Sequence, residues 1–387
     1  MTSGTLNDTP SGNRVRIAFF GLRNAGKSTL VNAFCGQELA IVSDVPGTTT
    51  DPVSKAMEIL PLGPCLITDT AGLDDVGDLG AARVRRTLAV LSTADIAIWV
   101  EADSPDADGA ALRARFFDEC RRRSVPVIEY RRGDSIPELR EKVAAVKVEA
   151  EPAVLDGLVV SGDRVICVCP IDESAPKGRL ILPQVQVIRD CLDRRATCAV
   201  CQPGELRGCL AERVPGSVRP VLVITDSQAF GAVRSEVESF RATLPEGSPG
   251  VRLTSFSILF ARQKGDLAAY ARGMDSVASL VDGDTVLVAE GCTHHRQCND
   301  IGTVKIPSAL RRLTGKDLRF VFASGNSFDI QADQKPVLVV HCGGCMLTRR
   351  EMRRRISLAS EAGVPIVNYG LLLAMANGLR AEEVMPC

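Results

Sequence analysis

Gly21-Leu22-Arg23-Asn24-Ala25-Gly26-Lys27-Ser28 stands between a short apolar run, Arg16 to Phe20, and a helix-favouring run, Thr29 to Cys35. A glycine-rich loop ending in Lys-Ser, set between strand and helix, is a phosphate-binding loop. It commits the chain around it to an α/β sheet. Its backbone amides would wrap the phosphates, with contacts expected from Gly21, Asn24, Ala25, Gly26, Lys27, Ser28 and Thr29. Lys27 would reach the β and γ oxygens and Ser28 would supply a magnesium ligand. The supporting segments come at workable distances. Pro46-Gly47-Thr48-Thr49-Thr50-Asp51 would close over the γ-phosphate, with Thr48 beside the nucleotide and Thr49 on the metal. Leu66 to Thr68 reads as a strand delivering Asp69, a direct or outer-sphere magnesium carboxylate, and Gly72, which would sense the γ-phosphate. Lys27, Thr49, Asp69 and Gly72 are thus the expected catalytic set. Strands at Asp95 to Val100 and Val125 to Tyr130 continue the alternation, predicting a doubly wound sheet.

A second feature lies near the other end. All three histidines of the 387 residues fall in Cys292-Thr293-His294-His295 and His341-Cys342-Gly343-Gly344-Cys345, and forty-six residues separate His294 from His341. Thiols at Cys-x-x-Cys spacing clasp one metal centre, and Gly343 and Gly344 allow the tight turn between them. Cys292 and one imidazole would complete the ligand set. Cysteine with histidine favours zinc or an iron–sulfur cluster over magnesium or calcium, and local chemistry leaves those two open. Val286 to Ala289 and Val337 to Val340 read as buried strands, each followed by its ligand segment, and open α/β sheets bind ligands at the carboxyl ends of strands. A helix is expected over Met346 to Ala362. Its amino end would favour thiolate at Cys342 and Cys345. The run Arg349, Arg350, Arg353, Arg354 and Arg355 reads as a solvated helix face, or else as partial compensation for an anionic cluster.

With 45% hydrophobic residues the chain has core enough for two or three domains, and a net charge of −1 argues against a general polyanion binder. No stretch is long and apolar enough to span a membrane, and Met1 to Asn13 lacks an apolar signal segment. Fourteen cysteines in such a chain suggest reduced thiols and metal chemistry, so a cytoplasmic protein is expected. Ala144 to Pro152 reads as a linker. Strands are expected at Val165 to Val168, Thr197 to Val200 and Val221 to Ile224, with a helix over Val185 to Leu192. Leu318 to Phe322 and Val364 to Val367 add strands, and Leu371 to Leu379 a last helix. Cys198 and Cys201 form a second Cys-x-x-Cys, but their strand-like setting favours core packing, as it does for Cys167 and Cys169. A boundary is placed near residue 249.

Asn24, Gly47-Thr48-Thr49 and Asp69-Thr70-Ala71-Gly72 resemble the TrmE–Era–EngA group of GTPases, whose loop asparagine helps bind a potassium ion in place of an arginine finger. That resemblance implies GTP, Mg2+ and K+, with Asn24 on the potassium. Those GTPases read guanine with Asn-Lys-x-Asp. Here the segment is Arg131-Arg132-Gly133-Asp134, and only Asp134 is retained for the base edge. Slow turnover suited to a switch is expected.

From about residue 14 to the end, the chain resembles the HydF family of FeFe-hydrogenase maturation GTPases. The match is carried by the 175–186 segment, Thr225 to Phe230, Thr254 to Arg262, and the pattern of Cys292, His294, His341, Cys342 and Cys345. It implies a GTPase domain (1–152), a small α/β dimerisation domain (153–248) and an α/β cluster-binding domain (249–387). It also implies a 4Fe–4S cluster on Cys292, Cys342 and Cys345, with His294 or His341 as fourth ligand or orienting group; Cys298, close by in sequence, is a competing ligand or a bystander thiol. The expected function is a scaffold for the two-iron subcluster precursor, working with the radical-SAM maturases HydE and HydG and with apo-hydrogenase, as a homodimer. Neither membrane nor nucleic acid is an expected partner. A zinc-containing GTPase that binds RNA or the ribosome is the alternative reading. A redox enzyme using Cys198 and Cys201 is a third.

Overall fold

The computed structural model describes residues 11–36, 53–74, 87–103, 106–148, 151–171, 180–212, 219–292, 300–325, 328, 330 and 335–386. The chain forms two compact units, Met1–Ala150 and Glu151–Cys387. Among the described residues no helix is long and apolar enough to cross a membrane.

The first unit is built on β1 (Val15–Gly21), β2 (Val53–Ile59), β3 (Gly63–Asp69), β4 (Ile96–Val100) and β5 (Val127–Tyr130), in the order β2-β3-β1-β4-β5. All neighbours are parallel except β2, an edge strand antiparallel to β3. Alternate residues of β1 face opposite ways. Ile17 and Phe19 pack with Leu30, Val31 and Phe34 of helix Lys27–Cys35 and with Leu139 and Val143 of helix Ile136–Ala144. Ala18 and Phe20 pack with Trp99 and with Phe116 and Cys120 of helix Ala107–Arg122. Helices therefore cover both faces, and the expected doubly wound architecture is present.

The second unit contains two parallel sheets. β6 (Arg164–Val168), β7 (Thr197–Cys201), β8 (Val221–Thr225) and β9 (Val251–Ser255) assemble in the order β7-β6-β8-β9. β10 (Thr285–Glu290), β11 (Arg319–Ser324), β12 (Leu338–His341) and β13 (Ile366–Asn368) assemble as β11-β10-β12-β13. Ile166, Val223 and Leu253 of the first sheet share one apolar core with Val286, Val288 and Val340 of the second. The expected division near 249 falls just ahead of β9, so the middle sheet extends past it. Cys167 and Cys169 are buried as expected, Cys191 is buried too, and Cys198, half-buried on edge strand β7, lies with its Sγ 3.6 Å from that of Cys167.

Sheet order decides where a ligand can sit. From β10 the chain passes to β11 on one side and then crosses to β12 on the other. The crevice beyond the carboxyl ends of β10 and β12 is thus a topological switch point, the place where open α/β sheets bind ligands.

Candidate functional site

In the first unit the phosphate-binding loop leaves β1 at Gly21, whose φ of 155° suits glycine. A Cβ there would lie 2.5 Å from the carbonyl oxygen of Val100, so β4 presses directly on the loop. Asn24 takes the left-handed conformation (φ 59°), tolerable for asparagine, and Gly26 follows with φ 88°. Lys27 Nζ donates to the carbonyls of Leu22 (2.7 Å) and Gly21 (3.3 Å), which holds the ammonium inside the loop. Ser28 Oγ donates to Asp69 Oδ2 at 2.6 Å, so the two expected magnesium ligands are together at the end of β3. Burial pushes the Asp69 carboxyl up, opposed by the Ser28 hydroxyl and the Lys27 ammonium. Gly72 has to be glycine, because a Cβ would meet Arg23 N at 2.8 Å. Asp74, which the sequence reading passed over, accepts from that same Arg23 amide at 2.5 Å. Ala25 and Thr29 lie on the loop and in the first turn of helix Lys27–Cys35. Asp134 is exposed and accepts from Arg131 N at 2.8 Å, closing its own turn. Thr48 and Thr49 lie outside the described residues.

In the second unit the two ligand segments converge. Ala289 on β10 stands in register with His341 on β12, so Cys342 starts beside Glu290 and Cys292 follows two residues on. The Gly291 amide donates to Cys342 Sγ at 3.2 Å, and the Gly344 amide does so at 3.4 Å. Two backbone donors aimed at one sulfur favour its anionic form. Cys292, Cys342 and Cys345 lie close enough that Cys292 feels the charges of both others. Burial pushes the Cys342 thiol up to about 12 and raises those of Cys292 and Cys345. Burial of the Cys342 and Cys345 thiols opposes the thiolate bias expected from a helix end. Thr348 caps the Glu351 amide, the helix spans Arg349–Glu361, and desolvation of the thiols prevails.

His341 is hydrogen-bonded at both ring nitrogens. Its Nδ1 is 2.8 Å from the Cys342 carbonyl and its Nε2 is 3.1 Å from Arg355, a pairing that assigns the proton to Nδ1. Burial, then the Arg355 charge, lowers its pKa to about 3, which keeps the ring neutral. Arg355 is itself fully buried and also binds Glu351, the Glu290 carbonyl and the Gly325 carbonyl. Of the two expectations for the arginine run, a solvated face or compensation for an anionic cluster, burial excludes the first for Arg355. In the structure Arg353 is exposed while Arg355 fastens β10 and β12 to the helix. Gly344 has φ 69°, and a Cβ on Gly343 would reach 3.0 Å from the backbone of Ser257, so both glycines of the turn are required. His294, Cys298 and Asn299 lie outside the described residues.

Among the described residues no group of three or more Cys, His, Asp or Glu side chains is already set to hold a metal ion. The surroundings nevertheless fit an inorganic anion. Cys292, Cys342 and Cys345 lie on the two segments that flank the switch point. The hydroxyls of Tyr270 and Tyr369 are buried without partners, and both rings feel the charge of Cys342. The fully buried ammonium of Lys264 donates to the carbonyls of Leu347 (2.6 Å) and Cys345 (3.2 Å).

Residues 154–265 match the hydrogen maturase F dimerization domain, residues 268–385 the hydrogen maturase F tetramerization domain, and residues 16–128 the 50S ribosome-binding GTPase family. The tRNA modification GTPase MnmE of Endomicrobium trichonymphae is 31% identical over 41% of this chain and 36% of its own length. That of Phenylobacterium zucineum is 46% identical over 24% of this chain and 22% of its own. The chain therefore spans only about a quarter to a third of these relatives. Aquifex aeolicus Era bound to GDP and aluminium fluoride is 15% identical, with a TM-score of 0.27, over 80% of this chain and 93% of that one. The first unit carries a GTPase domain of the kind that binds GTP and Mg2+, and the second carries two oligomerisation domains found together in one family. The chain belongs to the hydrogen maturase F (HydF) family of GTPases.

Proposed function

We propose that this protein is a maturation factor for FeFe-hydrogenase: a GTP-hydrolysing scaffold that carries a 4Fe–4S cluster, receives the two-iron precursor and passes it to apo-hydrogenase. One observation carries the reading. The Cys292 segment and the Cys342–Cys345 clasp meet at the β10/β12 switch point, with the Gly291 amide bonded to Cys342 Sγ. Cys292, Cys342 and Cys345 would hold the cluster, which when bound supplies an iron with an exchangeable ligand position. The protein's own residues do the rest. The Gly291 and Gly344 amides orient the Cys342 sulfur, and Arg355 and Glu351 fix His341 and hence the turn. Burial of the three thiols means that loading releases protons.

In the GTPase domain Lys27 would neutralise phosphate charge and Ser28 and Asp69 would hold magnesium. Thr49 would complete that set and Asn24 would bind potassium. GTP hydrolysis is proposed to be slow and to act as a switch. HydE and HydG are the proposed sources of the precursor, and the segment that the dimerization domain covers is the proposed homodimer contact.

The test is activation of apo-hydrogenase by protein produced together with HydE and HydG. Cys345→Ala, folded by circular dichroism, should abolish activation, while the Cys198→Ala/Cys201→Ala double variant should retain it. Full activation by Cys345→Ala would refute the proposal. Stoichiometric zinc without sulfide would move the assignment to a zinc-containing GTPase.

A further inference from the structure

The Cys342–Cys345 turn is held from beneath by a residue that is neither thiol nor histidine. Lys264 ends the helix Phe256–Lys264 with none of its surface exposed. Taking an ammonium out of water costs several kcal/mol, so it persists only where the fold gives it partners and a use for the charge. Its Nζ donates to Leu347 O and Cys345 O, and Glu151 Oε2 is 4.0 Å away. The link to Cys345 is the informative one. In a planar trans peptide the carbonyl and the following N–H point in opposite directions. By fixing the Cys345 carbonyl, Lys264 fixes the orientation of the Met346 amide, which favours the Cys345 thiolate. One side chain thus brings a positive charge within range of the sulfur and aims a backbone dipole at it.

We propose that Lys264 is the positioning residue that holds the Cys342–Cys345 turn in its ligating shape and raises the reduction potential of the cluster that the turn carries. This inference rests on the cluster-carrying reading above. A 4Fe–4S core on thiolates becomes more negative on reduction. A fixed neighbouring cation and an amide donor to sulfur therefore stabilise the reduced form more than the oxidised one. The residue touches the loop backbone and acts through it.

The test compares the unaltered protein with Lys264→Met, both loaded anaerobically with iron and sulfide and titrated by EPR for the midpoint of the cluster. Lys264→Met removes the charge and both donors while keeping the length of the stem. The expected result is a loaded variant whose midpoint is more negative than that of the unaltered protein. A loaded variant with an unchanged midpoint overturns the proposal. If Lys264→Met folds but does not load, Lys264→Gln decides, because it keeps a donor and loses the charge. Loading with a more negative midpoint supports the proposal, and no loading or an unchanged midpoint overturns it. Unaltered protein that takes up no iron and sulfide refutes the cluster reading itself, a different failure from any of these.

Discussion

Replacing Arg355 with Met should loosen the second unit while leaving the first untouched. The guanidinium is fully buried and binds Glu351 Oε1 at 2.7 Å and His341 Nε2 at 3.1 Å, besides the carbonyls of Glu290 and Gly325. The Glu351 side chain is only 3% exposed. Removing one partner of a buried ion pair costs about 3–5 kcal/mol, because the other charge is left desolvated. Two terms act in opposite directions. Arg354 keeps its bonds to Glu351 at 2.7 and 2.9 Å, which favours the low end. The His341 nitrogen is left without a donor, adding roughly 1–3 kcal/mol, although residues in one network do not sum. A loss of about 3–4 kcal/mol follows.

Trp99, the one tryptophan, is buried in the first unit, so its fluorescence reports that unit while circular dichroism reports both. At urea slopes of about 2–3 kcal/mol per molar, the dichroism transition of the second unit should fall by roughly 1–2 M. The fluorescence transition should stay in place. A dichroism shift under about 0.5 M, or an equal shift in both signals, would refute this account of Arg355.

Other outcomes follow from the same geometry. Ser28→Ala removes the hydroxyl bonded to Asp69, and magnesium-dependent GTP hydrolysis should drop at least tenfold while iron content stays the same; equal loss of both would contradict the separation of the two sites. Replacing potassium with sodium should slow GTP hydrolysis in the unaltered protein and leave Asn24→Ala unaffected, as phosphate-release assays would show. Burial would raise the Glu351 carboxyl, but its bonds to Arg354 and Arg355 outweigh that and hold it below the ordinary carboxylate range. Its stabilising contribution is therefore present above the unfolded-state value and is lost as pH falls through the folded one. Glu351→Gln should accordingly be less stable than the unaltered protein at pH 7 by about 1–3 kcal/mol, with the gap closing below pH 4 in denaturation curves.

Much of the fold was legible because the strands are short and wholly apolar. Val286 to Ala289 and Val337 to Val340 each run straight into their ligand segments, and the structure places them side by side as β10 and β12. What the sequence could not reveal was tertiary. Arg355 sits in a run of like charges, and only the packing of its helix over β12 separates it from exposed Arg353. A lysine at a helix end reads as solvated, and nothing local to Lys264 announces the loop from residues 345–347 that covers it. β9 was missed as a strand of the middle sheet because Arg252 interrupts its apolar run, although its pairing with β8 makes it one. His341 reads from sequence as a candidate ligand or an orienting group, because imidazole stands beside thiol. Its hydrogen bonds to Arg355 and the Cys342 carbonyl show that both nitrogens are otherwise occupied.

Iron and acid-labile sulfide analysis of anaerobically reconstituted protein, read beside the EPR spectrum of the dithionite-reduced sample, bears most directly on the proposal. About four iron and four sulfide per chain, with a reduced-cluster signal that disappears in Cys292→Ala, is the predicted result. A colourless protein holding one zinc and no sulfide, or a cluster signal that survives Cys292→Ala unchanged, would contradict it.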